Sequence, residues 1–530
     1  MLYASVMSGI RLSFLVLAAV ALQMGCGGTS TSRSDWEVVA DKKFASPCEA
    51  FESVAKFSLE AHVVRSAEEF PGLRKELASQ IAREAGLEKP SAGPEKCADL
   101  EELRPRLKVD GEMLDTADLY RMALQFFVEG LDPHSRYLPP KAAEKYQKRE
   151  KNQESGFGVE WQYQLADRWL PQSHLTVEAV FRDGPATGRL EGGDMIMAIN
   201  GQSIEGSTIL TALSLLGEEE SARLKIKDKG EIEIRSAEYF SPPVLVSRET
   251  HGSYRAAYIR LRGFTEDSSA AVAKAIEDMR DVEGLVLDLR RNSGGRLEEA
   301  AKIADLFVAS GLVAVTRGHA GKKLASRRLN LNSEYRARKE GGETDLPLVV
   351  LIDPGSASAA EILAGTLGSS GRALVAGDRS FGKGTGQTPF IVSERNGLGG
   401  MLFITTFRYY LFDSSTPQIE GVTPHEWAVD TRLRPAVARE RASGKPVILF
   451  EGDYGPTVVP YTQNAVRYAP NGVLAAAIAE IRARRGEGAF EKTCGSAEDC
   501  PKALALAYLD AAASVERTWK PPKLEAGFSR

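Results

Sequence analysis

The chain of 530 residues is long enough for several domains with ample buried core. Its 43% hydrophobic and 26% charged residues are ordinary for globular protein. The net charge of −5, without a basic arm or interleaved aromatic and basic residues, argues against a nucleic-acid partner.

The N-terminus reads as an export signal. Arg11 precedes the apolar run Leu12 to Leu22, which is too short to span a membrane, so residues 1–25 are expected to be a signal peptide. Gln23-Met24-Gly25-Cys26 resembles a bacterial lipobox, with Gln23 where such motifs prefer leucine. The likeness implies a lipid on Cys26. Gly27 rather than an aspartate after it implies sorting to the outer membrane, on the periplasmic side of the cell envelope. Gly28 to Ser34 then forms a short flexible tether within residues 26–34.

Residues 35–150 read as a helical region, in which Leu119, Met122, Ala123, Phe126 and Phe127 share one face of an amphipathic helix. Beyond Cys26 there are four cysteines, Cys48, Cys97, Cys494 and Cys500, and an even count in an exported chain favours disulfides. The simplest pairing is Cys48–Cys97 with Cys494–Cys500, and two other pairings remain open. The six histidines lack ligand spacing, so neither a metal nor another cofactor is expected.

Residues 155–240 carry a second pattern. Gly156-Phe157-Gly158-Val159 resembles the carboxylate-binding loop of a PDZ domain, whose successive N–H groups hold a chain-terminal carboxylate. Gly184-Pro185-Ala186 and Gly193 to Gly201 are similar to the central PDZ pattern. Such a domain binds a peptide by adding it to a sheet edge as a strand.

Residues 241–430 hold the chemistry. Leu285 to Leu289 reads as a buried strand that runs into Arg290-Arg291-Asn292-Ser293-Gly294-Gly295, with a helix expected from Leu297 to Ala309. Paired glycines after a strand let backbone approach a ligand closely. Leu348 to Ile352 is a second buried strand, broken by Asp353-Pro354-Gly355, and Ala359 to Leu367 reads as a helix. Ser358 therefore stands at a helix N-terminus, where unpaired N–H groups favour the oxyanion of a tetrahedral intermediate and Ala359 N–H is one donor. The plainer alternative is that Ser356 or Ser358 only caps the helix.

Lys383 decides between them. It follows Ser358 by 25 positions, in Phe381-Gly382-Lys383-Gly384-Thr385-Gly386-Gln387. A serine needs a base to become a nucleophile, and a lysine serves only if desolvation keeps it neutral. A phosphate-binding loop fails here, because Gly384 stands where it needs Ser or Thr and a strand follows where it needs a helix. In an extended segment Lys383 and Gln387 share a face, so Gln387 can orient the amine. The pattern is that of a serine–lysine peptidase.

Asp288 to Gly295, Gly355 to Ile362 and Phe381 to Gln387 together resemble the carboxyl-terminal processing peptidases, or tail-specific proteases. Leu131-Asp132-Pro133-His134-Ser135-Arg136-Tyr137-Leu138 is similar to a further signature of that family. The likeness runs from about Leu119 to about Val429. It implies Ser358 as nucleophile, Lys383 as general base and Gln387 as its partner. It also implies an oxyanion hole from Gly294, Gly295 and Ala359, and protein or peptide substrates with free C-termini, with room for an adaptor protein. The expected architecture is an α/β multidomain chain: a peptidase core of β-sheet and packed helices, an inserted PDZ domain, and helical N- and C-terminal regions.

Two other readings compete. One is a lipid-anchored PDZ scaffold or chaperone on an inactive core, against which the intact Ser358–Lys383–Gln387 set argues. The other is a histidine-dependent esterase, which needs His134 or His425, each better read as structural. Residues 431–530 are expected to be a helical extension, with helices over 473–483 and 503–515 and a frayed tail from Trp519.

Overall fold

The computed structural model describes residues 38–39, 46–65, 67–88, 97–109, 112–217, 220–318, 320–324, 327–338, 344–394, 397–457, 499–513 and 523–524. The signal segment, Cys26, the tether, Cys494 and the helix expected over 473–483 lie outside them, as does the side chain of Cys500. Among the described residues no helix is long and apolar enough to cross a membrane.

The N-terminal region is helical: α1 (Pro47–Ala61), α2 (Phe70–Glu84), α3 (Ala98–Leu103) and α4 (Thr116–Glu129). Ser46 caps α1 by accepting from Glu49 N, and Asp115 caps α4 by accepting from Asp118 N. On α4, Leu119, Ala123 and Phe127 are buried as the spacing requires, with Met122 and Phe126 half-buried around them. A disulfide between Cys48 and Cys97, Cα atoms 6.1 Å apart, ties α1 to the start of α3. This bundle packs on Phe390, Leu402 and Ile404 of the core. The chain then enters that core briefly as β1 (Arg136–Leu138) and leaves through α5 (Pro140–Glu150).

The insertion comprises β2 (Gln153–Gly156), β3 (Val159–Gln162), β4 (Leu175–Val180), β5 (Met195–Ile199), α6 (Ile209–Ser214), β6 (Ser221–Ile226), β7 (Gly230–Arg235) and β8 (Ala237–Phe240). Its main sheet runs β7-β6-β5-β4-β3, with β3 at an edge, while β2 and β8 pair as entry and exit. Alternation in β6 buries Ala222, Leu224 and Ile226 on one face.

The core sheet has six strands in the order β9 (Val244–His251), β10 (Tyr254–Leu261), β11 (Gly284–Asp288), β14 (Leu348–Ile352), β15 (Leu374–Gly377) and β18 (Glu426–Trp427). All neighbours are parallel except β9 and β10. Every residue of β11 and β14 is buried, which is why both read as apolar runs, broken only by Asp288 at the end of β11. One face is covered by α7 (Ser268–Asp278), α8 (Leu297–Asp305) and α9 (Ala359–Ser369). The other is covered by α11 (Cys500–Ala513), whose Leu504, Ala505 and Leu509 pack with Val286, Val349 and Leu351. The C-terminal extension thus completes the sheet's second face.

A second sheet holds β12 (Ser310–Gly318), β13 (Glu334–Ala337), β16 (Thr385–Val392) and β17 (Met401–Leu411), with β1 paired antiparallel to β17 through Leu402–Tyr137. The helix expected to reach Ala309 stops at Asp305, because the chain must turn to begin β12 at Ser310. Lys523–Leu524, within the tail expected to fray, pairs in parallel with β12. After β18 come α10 (Leu433–Ala442) and a short 3-10 segment, Glu451–Thr457. The fold class is the α/β multidomain arrangement read from the sequence.

Candidate active site

Ser358 sits where β14 gives way to α9, with φ 56° and ψ −116°. This left-handed backbone at a non-glycine residue stores about 1–3 kcal/mol of strain, which its surroundings must hold. The preceding loop is pinned from both sides. Ser356 Oγ donates to Leu289 O at 2.7 Å and accepts from Asp353 N at 3.0 Å. Asp353 Oδ1 accepts from Gly355 N at 2.9 Å and from Arg291 N of the neighbouring loop at 2.8 Å. The Ser356 hydroxyl is therefore occupied in holding the turn. Ser358 Oγ, also buried, makes no hydrogen bond among the described residues.

Glu361, fully buried in the first turn of α9, joins the two motifs. Its Oε2 accepts from Ser358 N and from Lys383 N, both at 2.9 Å. Its Oε1 accepts from Gly382 N at 2.7 Å and from Ser380 Oγ at 2.5 Å. Burial pushes its carboxyl up to about 7, against the pull of those four donors. One side chain thus fixes the backbone of both residues singled out in the sequence. Gly382, at φ +103°, lies so close to Ile419 O that a Cβ there would stand 2.7 Å from it.

Lys383 is 0% exposed and precedes β16. Its Nζ donates to Thr385 O at 3.0 Å and to Gln387 Oε1 at 2.8 Å. Gln387, on β16, passes the contact on: its Nε2 donates to Thr405 Oγ1 at 2.9 Å, and Thr405 Oγ1 donates to Asp132 Oδ1 at 2.9 Å. Asp132 Oδ2 meets His62 Nε2 at 3.0 Å and accepts from Ser135 Oγ. Burial pushes the Asp132 carboxyl up, but the hydrogen bonds from His62 and Ser135 outweigh it and hold the group well below the usual carboxylate range.

The glycine pair lies against Ser358. A Cβ on Gly294 (φ +103°) would stand 2.9 Å from Ser358 Cβ and 3.0 Å from Ala359 N. Gly294 N–H, however, donates to Asn292 Oδ1 at 2.9 Å, so it points into its own loop. Gly295 and Ala359 donate their N–H groups to no partner among the described residues. Of the three backbone donors expected for the oxyanion, these two are unengaged, and the place of Gly294 is steric.

Arg290, in the same loop, is held by two carboxylates. It pairs with Asp288 at 2.7 Å and with Asp499, at the start of α11, at 2.6 Å. Arg291 stacks its guanidinium 3.9 Å over the Tyr163 ring of the inserted domain. Arg260 and Arg262 of β10 and its following loop bind Glu160 of β3, at 3.1 and 2.8 Å. The insertion is therefore seated on the core beside this loop by charge pairs.

The two histidines considered for an esterase are occupied elsewhere. His134 Nε2 meets Glu451 at 2.8 and 2.9 Å, and His425 Nδ1 accepts from Val375 N at 2.9 Å. Burial lowers His425 to about 4. Within the Gly156–Val159 segment, Phe157 and Gly158 donate their N–H groups to no partner among the described residues, and Gly158 has φ +71°. The only group of candidate metal ligands among the described residues is Cys48, Glu52 and Cys97, whose cysteines are joined to each other.

Sequence reasoning missed Glu361, Thr405 and Asp499. Glu361 carried a signal, since it stands three residues after Ser358 in a capping-box position. Thr405 and Asp499 carried none, because their partners are distant in the chain.

The model of Peptidase family S41 matches residues 255–427, and that of the PDZ domain matches residues 147–227. The carboxy-terminal-processing protease of Bartonella bacilliformis is 30% identical over 323 residues, covering 58% of this chain and 69% of the relative. Carboxyl-terminal-processing peptidase 2, chloroplastic, of Arabidopsis thaliana is 31% identical, covering 59% of this chain and 61% of the relative. The carboxy-terminal processing protease CtpB of Bacillus subtilis is 28% identical, covering 59% and 63%. The match to the Peptidase family S41 model and 30% identity across 69% of the Bartonella protease place the chain in the family of carboxy-terminal processing serine proteases.

Proposed function

We propose that the protein is a serine endopeptidase that recognises exported proteins by their C-terminal tails and cleaves them with Ser358 and Lys383. One arrangement carries this: Ser358 Oγ has no hydrogen bond among the described residues, Lys383 Nζ is buried on two acceptors, and one carboxylate holds both backbones. Lys383, as the neutral amine, takes the Ser358 hydroxyl proton while Oγ bonds to the scissile carbonyl carbon. Gly295 and Ala359 N–H groups receive the oxyanion. The C–N bond then breaks as Lys383 returns the proton to the departing amine. Water gives a proton to Lys383 as it attacks the acyl ester, and the acyl C–Oγ bond then breaks as Lys383 passes that proton to Ser358 Oγ, restoring the serine and the neutral amine.

The inserted domain supplies recognition. Its edge strand β3 offers a backbone ladder, and the N–H groups of Phe157 and Gly158 suit a terminal carboxylate. Lipid on Cys26 would hold the enzyme to the outer membrane, facing the periplasm.

The test is degradation of an unfolded reporter with an apolar C-terminus. The parent should cleave it, and Ser358→Ala and Lys383→Ala at matched folding should not. Blocking the reporter's terminal carboxylate should slow cleavage. Cleavage that survives Ser358→Ala refutes the assignment.

A further inference from the structure

Lys383 Nζ donates to two acceptors among the described residues. A neutral amine has two N–H bonds and one lone pair, so Thr385 O and Gln387 Oε1 together fix where the lone pair points. That works only while Gln387 presents its oxygen. A side-chain amide can flip and present its NH₂ instead, and the lone pair would then turn toward Gln387 and away from the serine.

The polarity of the amide is set at the far end of the relay. Asp132 receives five donors: His134 N, Ser135 N and Thr405 Oγ1 at Oδ1, and His62 Nε2 and Ser135 Oγ at Oδ2. An ionised carboxylate only accepts, so the Thr405 hydroxyl proton must point at Asp132. Thr405 Oγ1 is left with lone pairs toward Gln387, which can answer only with its NH₂. The Gln387 oxygen is thereby turned to Lys383. Backbone bonds of Thr405 to Ser135 Oγ (3.0 Å) and from Val63 N (2.8 Å) keep the hydroxyl in place.

We propose that Asp132 is a positioning residue for the general base, acting through Thr405 and Gln387 to set the direction of hydrogen bonding at Lys383. The inference rests on the Ser358–Lys383 reading above. It gives a task to the Asp132-Pro133-His134-Ser135 turn, which β1 carries against β17. The other titratable groups packed around Lys383 and the relay are Glu361, Tyr409, His62, and His134 with Glu451. All of them are unchanged by a substitution at Thr405.

The experiment uses the full chain carrying Thr405→Val, Thr405→Ser, Asp132→Asn, the Asp132→Asn/Thr405→Val pair, and Ser358→Ala as control, each assayed for kcat and KM on one peptide. Thr405→Val removes the hydroxyl at nearly constant volume and should lower kcat by roughly tenfold to a hundredfold, the scale of a misdirected general base, while leaving KM nearly unchanged. Thr405→Ser should restore kcat. Asp132→Asn can keep its amide oxygen where Oδ1 accepts from Thr405, so its loss should be no greater than that of Thr405→Val, and the double variant should be no slower than the slower single, because both act through one chain. Parental kcat in Thr405→Val, equal losses in the valine and serine variants, or additive losses in the pair would overturn the relay while the dyad stands. Activity in Ser358→Ala would overturn the dyad and the relay together. If Asp132→Asn does not fold, the valine–serine comparison decides alone.

Discussion

Replacing Glu361 by glutamine separates the stability of this site from its activity. Each Glu361 oxygen accepts two donors, and glutamine keeps only one of those oxygens. The better placement puts its NH₂ at the Oε1 side, where the Ser380 hydroxyl can reverse. Gly382 N–H is then left facing a donor, a buried mismatch that costs about 1–3 kcal/mol. The opposing effect is the buried charge. Burial raises Glu361 from 4.5 to about 7 in the folded protein, a shift worth about 3 kcal/mol. A raised folded value means that the folded state holds the proton more tightly. The stabilisation is therefore full below the unfolded value and is lost as pH rises through about 7, and glutamine has no such dependence. The stability gap between Glu361→Gln and the parent should thus swing by about 3 kcal/mol in favour of glutamine between about pH 4 and about pH 8. The variant begins less stable and ends equal or better, yet with lower kcat throughout, because the Lys383 loop has shifted. Hydrogen exchange of β11 and β14 amides against denaturant, in a Ser358→Ala background to prevent self-cleavage, reads the gap directly. A gap that stays constant or widens with pH refutes the reasoning.

Three further outcomes follow from the same contacts. Replacing Cys48 and Cys97 by alanine opens a loop spanning 49 residues and should lower stability by about 4 kcal/mol in the chain-entropy account, read as a fall in the thermal midpoint that dithiothreitol reproduces in the parent. Gly294→Ala places a methyl 2.8 Å from Ala357 O and 2.9 Å from Ser358 Cβ, so on the proposed mechanism kcat should fall by roughly a hundredfold through displacement of Ser358 and the neighbouring N–H groups. Circular dichroism should show the fold retained. Asp499→Asn leaves Arg290 with Asp288 and one weakened partner, so it should destabilise the oxyanion loop by roughly 1–2 kcal/mol and lower kcat more than it changes KM.

The sequence showed most where chemistry is local. Leu348–Ile352 followed by Asp-Pro-Gly announces a buried strand and its end, so the helix N-terminus at Ser358 could be placed without coordinates. Lys383 stands two residues before β16 and Gln387 lies four residues on, inside it, so the short separation keeps their side chains within reach of each other. The rest depends on chain crossings that no spacing encodes. Asp132 reaches Thr405 only because β1 pairs with β17, more than 260 residues away. Asp499 reaches Arg290 only because α11 returns to cover the sheet. Gly294 and Gly295 look equivalent as a dipeptide, and it is the Asn292 side chain, claiming one N–H, that distinguishes them.

The central claim is that Ser358 is the nucleophile and that Lys383 makes it one. Treating the parent, Ser358→Ala and Lys383→Ala with a fluorophosphonate and mapping the adduct by mass spectrometry tests this directly. The account predicts a single adduct on Ser358 in the parent and none in either variant. An adduct on Ser356, or undiminished labelling of Ser358 in Lys383→Ala, would contradict it.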